Sequence, residues 1–270
     1  MADLARLSLN QRTIDQWTLT QVVEHCGRAG VPAIGVWRDK LAEVGVDCGA
    51  RLIAEAGLQV SSLCRGGFFP TTSAADRAVR ADDNKRAVEE AAALRAPVLV
   101  LVCGPPVSPD LAAARRAVAD GIEALLPFAR DQGVRLGIEP LHPMMIGERS
   151  VIVSLREAVE LAERLDDEYL GVVVDAYHVF WDPDVEALIE RAGSRLVGFH
   201  ASDWLTPAGD VTASRAMIGD GLIALRSMRE ATDRAGYRGF IEVEVINDHH
   251  RHLDGDTLLQ TIIQRFQSLL

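Results

Sequence analysis

Short runs of apolar, often β-branched residues recur along the chain. After each, apolar positions return every three or four residues. The runs are Arg6–Leu9, Ala33–Val36, Leu58–Leu63, Val98–Val102, Val134–Ile138, Leu170–Val174, Leu196–Phe199 and Phe240–Val245. Several are continuous rather than alternating, which predicts parallel strands covered on both faces. The intervening stretches predict amphipathic helices. Ser154-Leu155-Arg156-Glu157 has the form of a capping box, and Leu155, Ala158, Val159, Ala162 and Leu165 mark one helical face. Asp220-Gly221 is expected to open a helix that passes Leu225 and Met228 and stops near Gly236. Asp110–Gln132 is expected to be a long helix kinked or divided by Pro127. Gly30, Gly57, Gly133, Gly193 and Gly236 each precede a strand, as C-caps do.

Eight strand–helix units fit in 270 residues with no Gly/Ser-rich linker and no low-complexity segment. This predicts α/β architecture as one (β/α)8 TIM barrel over residues 1–270. An open doubly wound sheet is the alternative, weakened because no GxGxxG follows the first strand.

Composition narrows the class. Apolar residues are 48% and charged residues 25%, an ordinary globular balance. Lys plus Arg total 28 against 39 Asp plus Glu, a net charge of −11 without a basic run, which disfavours nucleic acid as a partner. The start MADLARLSLNQ lacks the basic and apolar regions of a secretory signal, and no apolar run reaches the ~18 residues of a membrane span. A cytoplasmic protein without membrane contact is expected. Cys26, Cys48, Cys64 and Cys103 are widely spaced and read as reduced, buried thiols.

In a parallel barrel the C-terminal strand ends surround one mouth, where such folds place their chemistry. The last four strands each bring charge there. LGIEP ends at Glu139, GVVVDAYH at Asp175 with His178 three residues on, LVGFH at His200 with Asp203 close behind, and FIEVEV holds Glu242 and Glu244. A lone Asp at a strand end is usually a cap, and a lone His in an apolar run is usually a core residue. Coincidence on four consecutive strands is another matter, because buried carboxylates need a compensating cation. Three carboxylates and an imidazole suit one hard divalent ion, Mn²⁺ first, then Mg²⁺ or Co²⁺, with Zn²⁺ possible. Period two puts Glu242 and Glu244 on one face, so one of them can be a simple rim charge.

IEP, VDAYH, FHASDW, an arginine before GDG, and IEVE near the end together resemble the xylose isomerase-like TIM-barrel superfamily over essentially the whole chain. The closer likeness is to its sugar isomerase/epimerase branch of inosose isomerases, inosose dehydratases and ketose 3-epimerases. The resemblance implies metal ligands Glu139, Asp175, His200 and Glu244. Glu244 is preferred to Glu242 because members place the ligand five residues after the glycine that opens strand eight, here Gly239. It also implies substrate contacts from His178 and from Arg215 in SRAMIGDG.

The implied chemistry is isomerisation or epimerisation of a sugar or cyclitol. Glu139 and Glu244 act as the acid/base pair, and a metal-stabilised enediolate is the intermediate. The same intermediate can expel a β-leaving group, making an inosose dehydratase-like lyase or one acting on a 3-keto sugar or glycoside. That needs a further acid, for which His142 in PLHP is the candidate and His178 the second. A non-catalytic sugar-binding subunit is an alternative of another class, disfavoured by an intact quartet. The superfamily's endonuclease IV holds three zinc ions with extra histidines, and the quartet and acidic charge here oppose that reading.

Further rim candidates are Trp37, for stacking on a sugar face, and Arg65 and Arg149, for hydroxyls or a phosphate. Asn247-Asp248-His249-His250-Arg251-His252 reads as a polar surface loop. Without a glycine-rich cradle, an unphosphorylated substrate is favoured. Barrels of this kind often pair, so a homo-oligomer is possible, but no stretch marks a contact face.

Overall fold

In the computed structural model, eight parallel strands close on themselves in sequence order, and the first pairs with the last. The structure describes residues 3–206 and 208–270; the first two residues of the N-terminal stretch read above lie outside them. The strands are β1 (Leu7–Asn10), β2 (Ala33–Trp37), β3 (Gln59–Gly67), β4 (Val98–Val102), β5 (Arg135–Ile138), β6 (Leu170–Asp175), β7 (Leu196–Ala201) and β8 (Ile241–Val243). Their helices are α1 (Leu19–Ala29), α2 (Arg38–Val44), α3 (Val46–Glu55), α4 (Ala74–Ala93), α5 (Leu111–Asp131), α6 (Leu155–Leu165), α7 (Ala176–Val179), α8 (Val185–Ala192), α9 (Leu225–Arg234) and α10 (Gly255–Leu269). The (β/α)8 barrel expected from the apolar runs is therefore the fold.

The continuous runs are explained by burial on two sides. All five residues of β4 are buried. Leu99 and Leu101 join the large core between sheet and helices. Val98 and Val100 turn the other way and pack with Cys64, Val173 and Val197 in a separate small cluster. The helices cover the barrel with apolar stripes, such as Leu155, Ala158, Val159, Leu161 and Ala162 of α6. At its start Ser154 accepts from the Glu157 N–H, while the Glu157 carboxylate reaches back to the Val153 N–H at 3.0 Å.

Local expectations fare unevenly. The five glycines before strands all have positive φ, as caps require. α5 is one helix through Pro127 rather than two. Asp220-Gly221 does not open α9, which begins at Leu225. The preceding segment instead wraps the Asp203 carboxylate, which accepts from the Gly219 and Ile223 N–H groups at 3.0 and 2.9 Å. All four cysteines are free, and three are buried as expected, but Cys48 is exposed. Among the described residues no helix is long and apolar enough to cross a membrane.

Candidate metal centre and active site

Register sets the site. Asp175 of β6 stands beside His200 of β7, and His200 stands beside Glu242 of β8. Glu139 follows β5 by one residue, its N–H donating to the Leu101 carbonyl at 3.2 Å. Pro140 comes next and has no N–H to continue the ladder. Glu244 follows β8 by one residue and donates its N–H to Ala201 at 3.1 Å. Strands β5 to β8 thus aim four side chains at one point. One potential ligand atom from each of Glu139, Asp175, His200 and Glu244 lies within 4.8 Å of all the others, and all four residues are buried.

The donor set fits a divalent cation. His200 Nδ1 lies 3.1 Å from Glu139 Oε1 and 3.6 Å from Glu244 Oε2. It is nevertheless a buried atom with no hydrogen-bonded partner. Three carboxylates and one imidazole nitrogen converging without mutual hydrogen bonds make a donor set that a metal ion can fill.

Arg215 supplies the protein's own compensation. Its Nη1 donates to Asp175 Oδ2 at 2.7 Å and Glu244 Oε2 at 3.0 Å, and its Nη2 meets His178 Nε2 at 3.1 Å. It is held from both sides, its N–H donating to Ile246 at 3.1 Å and its carbonyl accepting from Asn247 Nδ2 at 2.8 Å. The Tyr177 ring lies 4.7 Å below the guanidinium carbon. Burial tends to raise the Glu244 carboxyl, but Arg215 and His200 prevail and hold it well below its ordinary range. For Asp175 burial wins over Arg215, and the carboxyl is pushed up to about 7. His178 is depressed by burial and then by Arg215, so its imidazole is neutral. A guanidinium only donates, so His178 Nε2 accepts and its proton sits on Nδ1, a buried atom with no partner in the protein.

Glu139, His178, Arg215 and Glu244 line a cavity of about 360 Å³, whose walls also include Arg12, Trp37, Cys64, Leu141, Arg149 and Arg251. Trp37 thus stands on the wall, its indole N–H donating to Asn10 Oδ1 at 2.9 Å and its ring lying under Arg12 at 4.5 Å. Arg65 lines an adjoining recess that shares Arg12, Trp37 and Cys64 with the cavity. His142 is not among the residues lining the cavity. Its Nδ1 accepts from the Met144 N–H at 3.3 Å, and its ring stacks on Trp204 at 5.1 Å. The string after β8 is a short 3₁₀ turn, Asp248–His252, outside the cluster of ligand atoms.

One residue escaped the sequence reading, and the place of another was left open. Asn10, at the end of β1, donates to Glu242 Oε1 at 2.6 Å and Glu244 Oε1 at 3.1 Å. Glu242, open to reading as a rim charge, lies inside the barrel at 2% exposure. Its Oε2 accepts from Ser61 and Ser62 at 2.7 and 2.9 Å and stands 3.7 Å from His200 Nε2. The expected first strand stopped at Leu9, one residue short of Asn10. A polar residue at that strand end was the available signal.

Residues 23–269 match the family described as the xylose isomerase-like TIM barrel. The chain belongs to this family. Protein SMc04130 from Sinorhizobium meliloti 1021 is similar at 40% identity and a TM-score of 0.96, over 99% of each chain. The fold is shared with the IOLI protein with a bound zinc atom (19% identity, TM-score 0.86, 98% of this chain and 97% of that one). It is also shared with D-allulose 3-epimerase from Methylomonas sp. (16% identity, TM-score 0.78, 98% of each). No curated protein matches the chain. The buried side chains of Glu139, Asp175, His200 and Glu244 are grouped closely enough to hold a metal ion.

Proposed function

We propose that this protein is a divalent-metal-dependent isomerase or epimerase of a sugar or cyclitol. The observation that carries the reading is the convergence of Glu139, Asp175, His200 and Glu244 on one buried point beside a cavity that Glu139 and Glu244 line. Mn²⁺ is the proposed ion on the hardness of the donor set, with Mg²⁺ and Co²⁺ next. The zinc in the similarly folded IOLI protein keeps Zn²⁺ as an alternative. A cation held there would polarise a carbonyl oxygen and its neighbouring hydroxyl, acidifying the C–H bond beside them.

The chain's own groups do the rest. Glu139 and Glu244 approach from strands on different sides of the site and form the acid/base pair. Arg215 donates to Glu244 and keeps its carboxylate ionised. One glutamate takes the C–H proton, and the bond's electron pair moves onto the carbonyl to give an enediolate. The other returns a proton to the opposite face for epimerisation, or to the adjacent carbon for isomerisation. His178 donates its unpartnered Nδ1–H to a substrate oxygen, and Trp37 presents a ring face to the sugar.

Elimination from the same enediolate needs an acid beside the leaving oxygen. His142, stacked on Trp204 off the cavity wall, is poorly set for it, which leaves His178 as the acid the lyase alternative would use. The test is NMR of ketoses, inososes and 3-keto glycosides in D₂O with Mn²⁺-loaded protein, the metal being removed before acquisition. Deuterium at a single α-carbon of recovered sugar supports the reading. An unsaturated or diketo product replaces it with a lyase, and no reaction across the panel overturns it.

A further inference from the structure

Most buried or half-buried arginines of this chain are matched. Arg12 pairs with Asp15 and Asp39, Arg38 with Asp83 and Glu90, and Arg215 with Asp175 and Glu244. Arg65 and Arg149 break that pattern. Both are half-buried, and among the described residues neither guanidinium has a carboxylate or hydrogen-bond partner. The Nε of Arg149 is buried and unsatisfied.

The fold puts these two cations together. Arg65, on β3, lies over the Phe68 ring with 4.1 Å from guanidinium carbon to centroid, and Arg80 of α4 approaches the same ring at 5.7 Å. Phe68 packs against Gly104, where an added Cβ would meet the Phe68 Cα at 2.7 Å. The Gly104 N–H in turn donates to the Arg149 carbonyl at 3.0 Å. Burial, then Arg149, Arg80 and Arg38, depress the Arg65 guanidinium, as like charges in reach of one another do. On a chain of net charge −11, gathering cations half out of water costs free energy unless an anion meets them.

Arg149 stands on the wall of the cavity above the carboxylate cluster, and Arg65 stands in the recess that opens beside it. We infer that Arg65 and Arg149 bind an oxyanion carried by the substrate, a phosphate or a carboxylate, at the end remote from the reacting carbonyl. The inference rests on the proposed proton-transfer reading and names its substrate class. Planar guanidinium forks bind such groups by paired N–H bonds without a glycine-rich cradle, so the lack of a cradle does not favour a neutral sugar.

The test compares three kinds of substrate in the D₂O exchange assay: a neutral ketose, the same ketose bearing a terminal phosphate, and the keto acid bearing a terminal carboxylate. One anionic member is expected to exceed the neutral sugar at least tenfold in kcat/KM, and whichever leads identifies the oxyanion. That ratio is expected to fall toward one in Arg65→Met and Arg149→Met and to shrink with added salt in the wild type. The salt series serves if either variant fails to fold. Equal kcat/KM for neutral and charged members, insensitive to salt, overturns the inference. If no substrate exchanges, the proton-transfer reading fails and the anion site is judged by calorimetry with inorganic phosphate and acetate, with and without Mn²⁺. Metal-independent binding weakened at least tenfold in Arg149→Met supports the site. Binding that is absent, or unchanged in the variant, overturns it.

Discussion

His200 Nδ1 and Glu139 Oε1 lie 3.1 Å apart, buried, yet without the geometry of a hydrogen bond. Both side chains are aimed at a common point that Asp175 and Glu244 also approach. Removing one oxygen donor from so small a set should be felt at once. Glu139→Gln and Glu244→Gln are each expected to lose stoichiometric Mn²⁺ after dialysis, while the wild type retains about one ion per chain. Elemental analysis reads this directly, and full metal retention in both variants would remove the quartet from consideration.

The same cluster predicts how stability depends on pH. Without metal, the His200 imidazole is raised well above its ordinary value: burial opposes, but Glu242, Glu139 and Glu244 prevail. A raised folded pKa gives stability that is full below the unfolded value of about 6.5 and lost as pH rises through the folded one. Asp175, pushed up to about 7 by burial, acts in the same sense and is nearly spent by then. His178, depressed by burial, acts oppositely, but only below about 6.5. The metal-free protein should therefore lose thermal stability as pH rises above about 6.5. Metal needs the deprotonated ligands, so its stabilising effect should grow over the same interval. Melting curves with and without Mn²⁺ check both trends, and a metal-induced shift that shrinks toward pH 8 contradicts the assignment.

What was legible in the chain was whatever depends on local pattern. β4 and β6 are buried on both sides, so their apolar runs are unbroken, and Glu139, Asp175 and His200 stand out as interruptions at their strands' ends. Asn10 was not legible, because its partners lie 232 and 234 residues away, and one asparagine after a strand usually means a turn. Glu242 is inside rather than on the rim because Ser61, Ser62 and Asn10 supply donors from other strands. Asp220 resembled a helix cap, yet Asp203 captures the neighbouring N–H groups first and delays α9 to Leu225. In each miss a contact between residues distant in sequence overrode a sound local preference.

Glu242 and Gly35 give a prediction about support beneath the site. The carboxylate faces His200 Nε2 at 3.7 Å and is gripped by three donors, so it orients the ring whose Nδ1 faces the quartet. Glu242→Gln is expected to keep the quartet but weaken Mn²⁺ about 10–100-fold, the usual effect of losing such a partner. Gly35→Ala attacks the same carboxylate sterically, since its Cβ would fall 2.0 Å from Glu242 Oε1. A loss of about 1–3 kcal/mol in unfolding free energy is expected from that overpacking. Chemical denaturation and metal titration measure the two effects, and unchanged metal affinity in both variants would reduce Glu242 to barrel filling.

Arg215 is the last test, because its two tasks can be separated. It bridges Asp175 and Glu244 with one nitrogen and meets His178 with the other. Arg215→Met leaves buried carboxylates unpaired, and the loss in the metal-free protein should be on the order of 3 kcal/mol. With Mn²⁺ bound, those carboxylates keep a counter-charge, so the loss should be visibly smaller. Arg215→Lys restores a positive charge but cannot span three partners with one ammonium, so it should recover stability more than turnover. In that variant kcat should fall further than KM rises, because Glu244 keeps its charge while His178 loses the donor that fixes its tautomer. Equal destabilisation with and without metal, together with full turnover in Arg215→Lys, would show that Arg215 only fills space between β6 and β8.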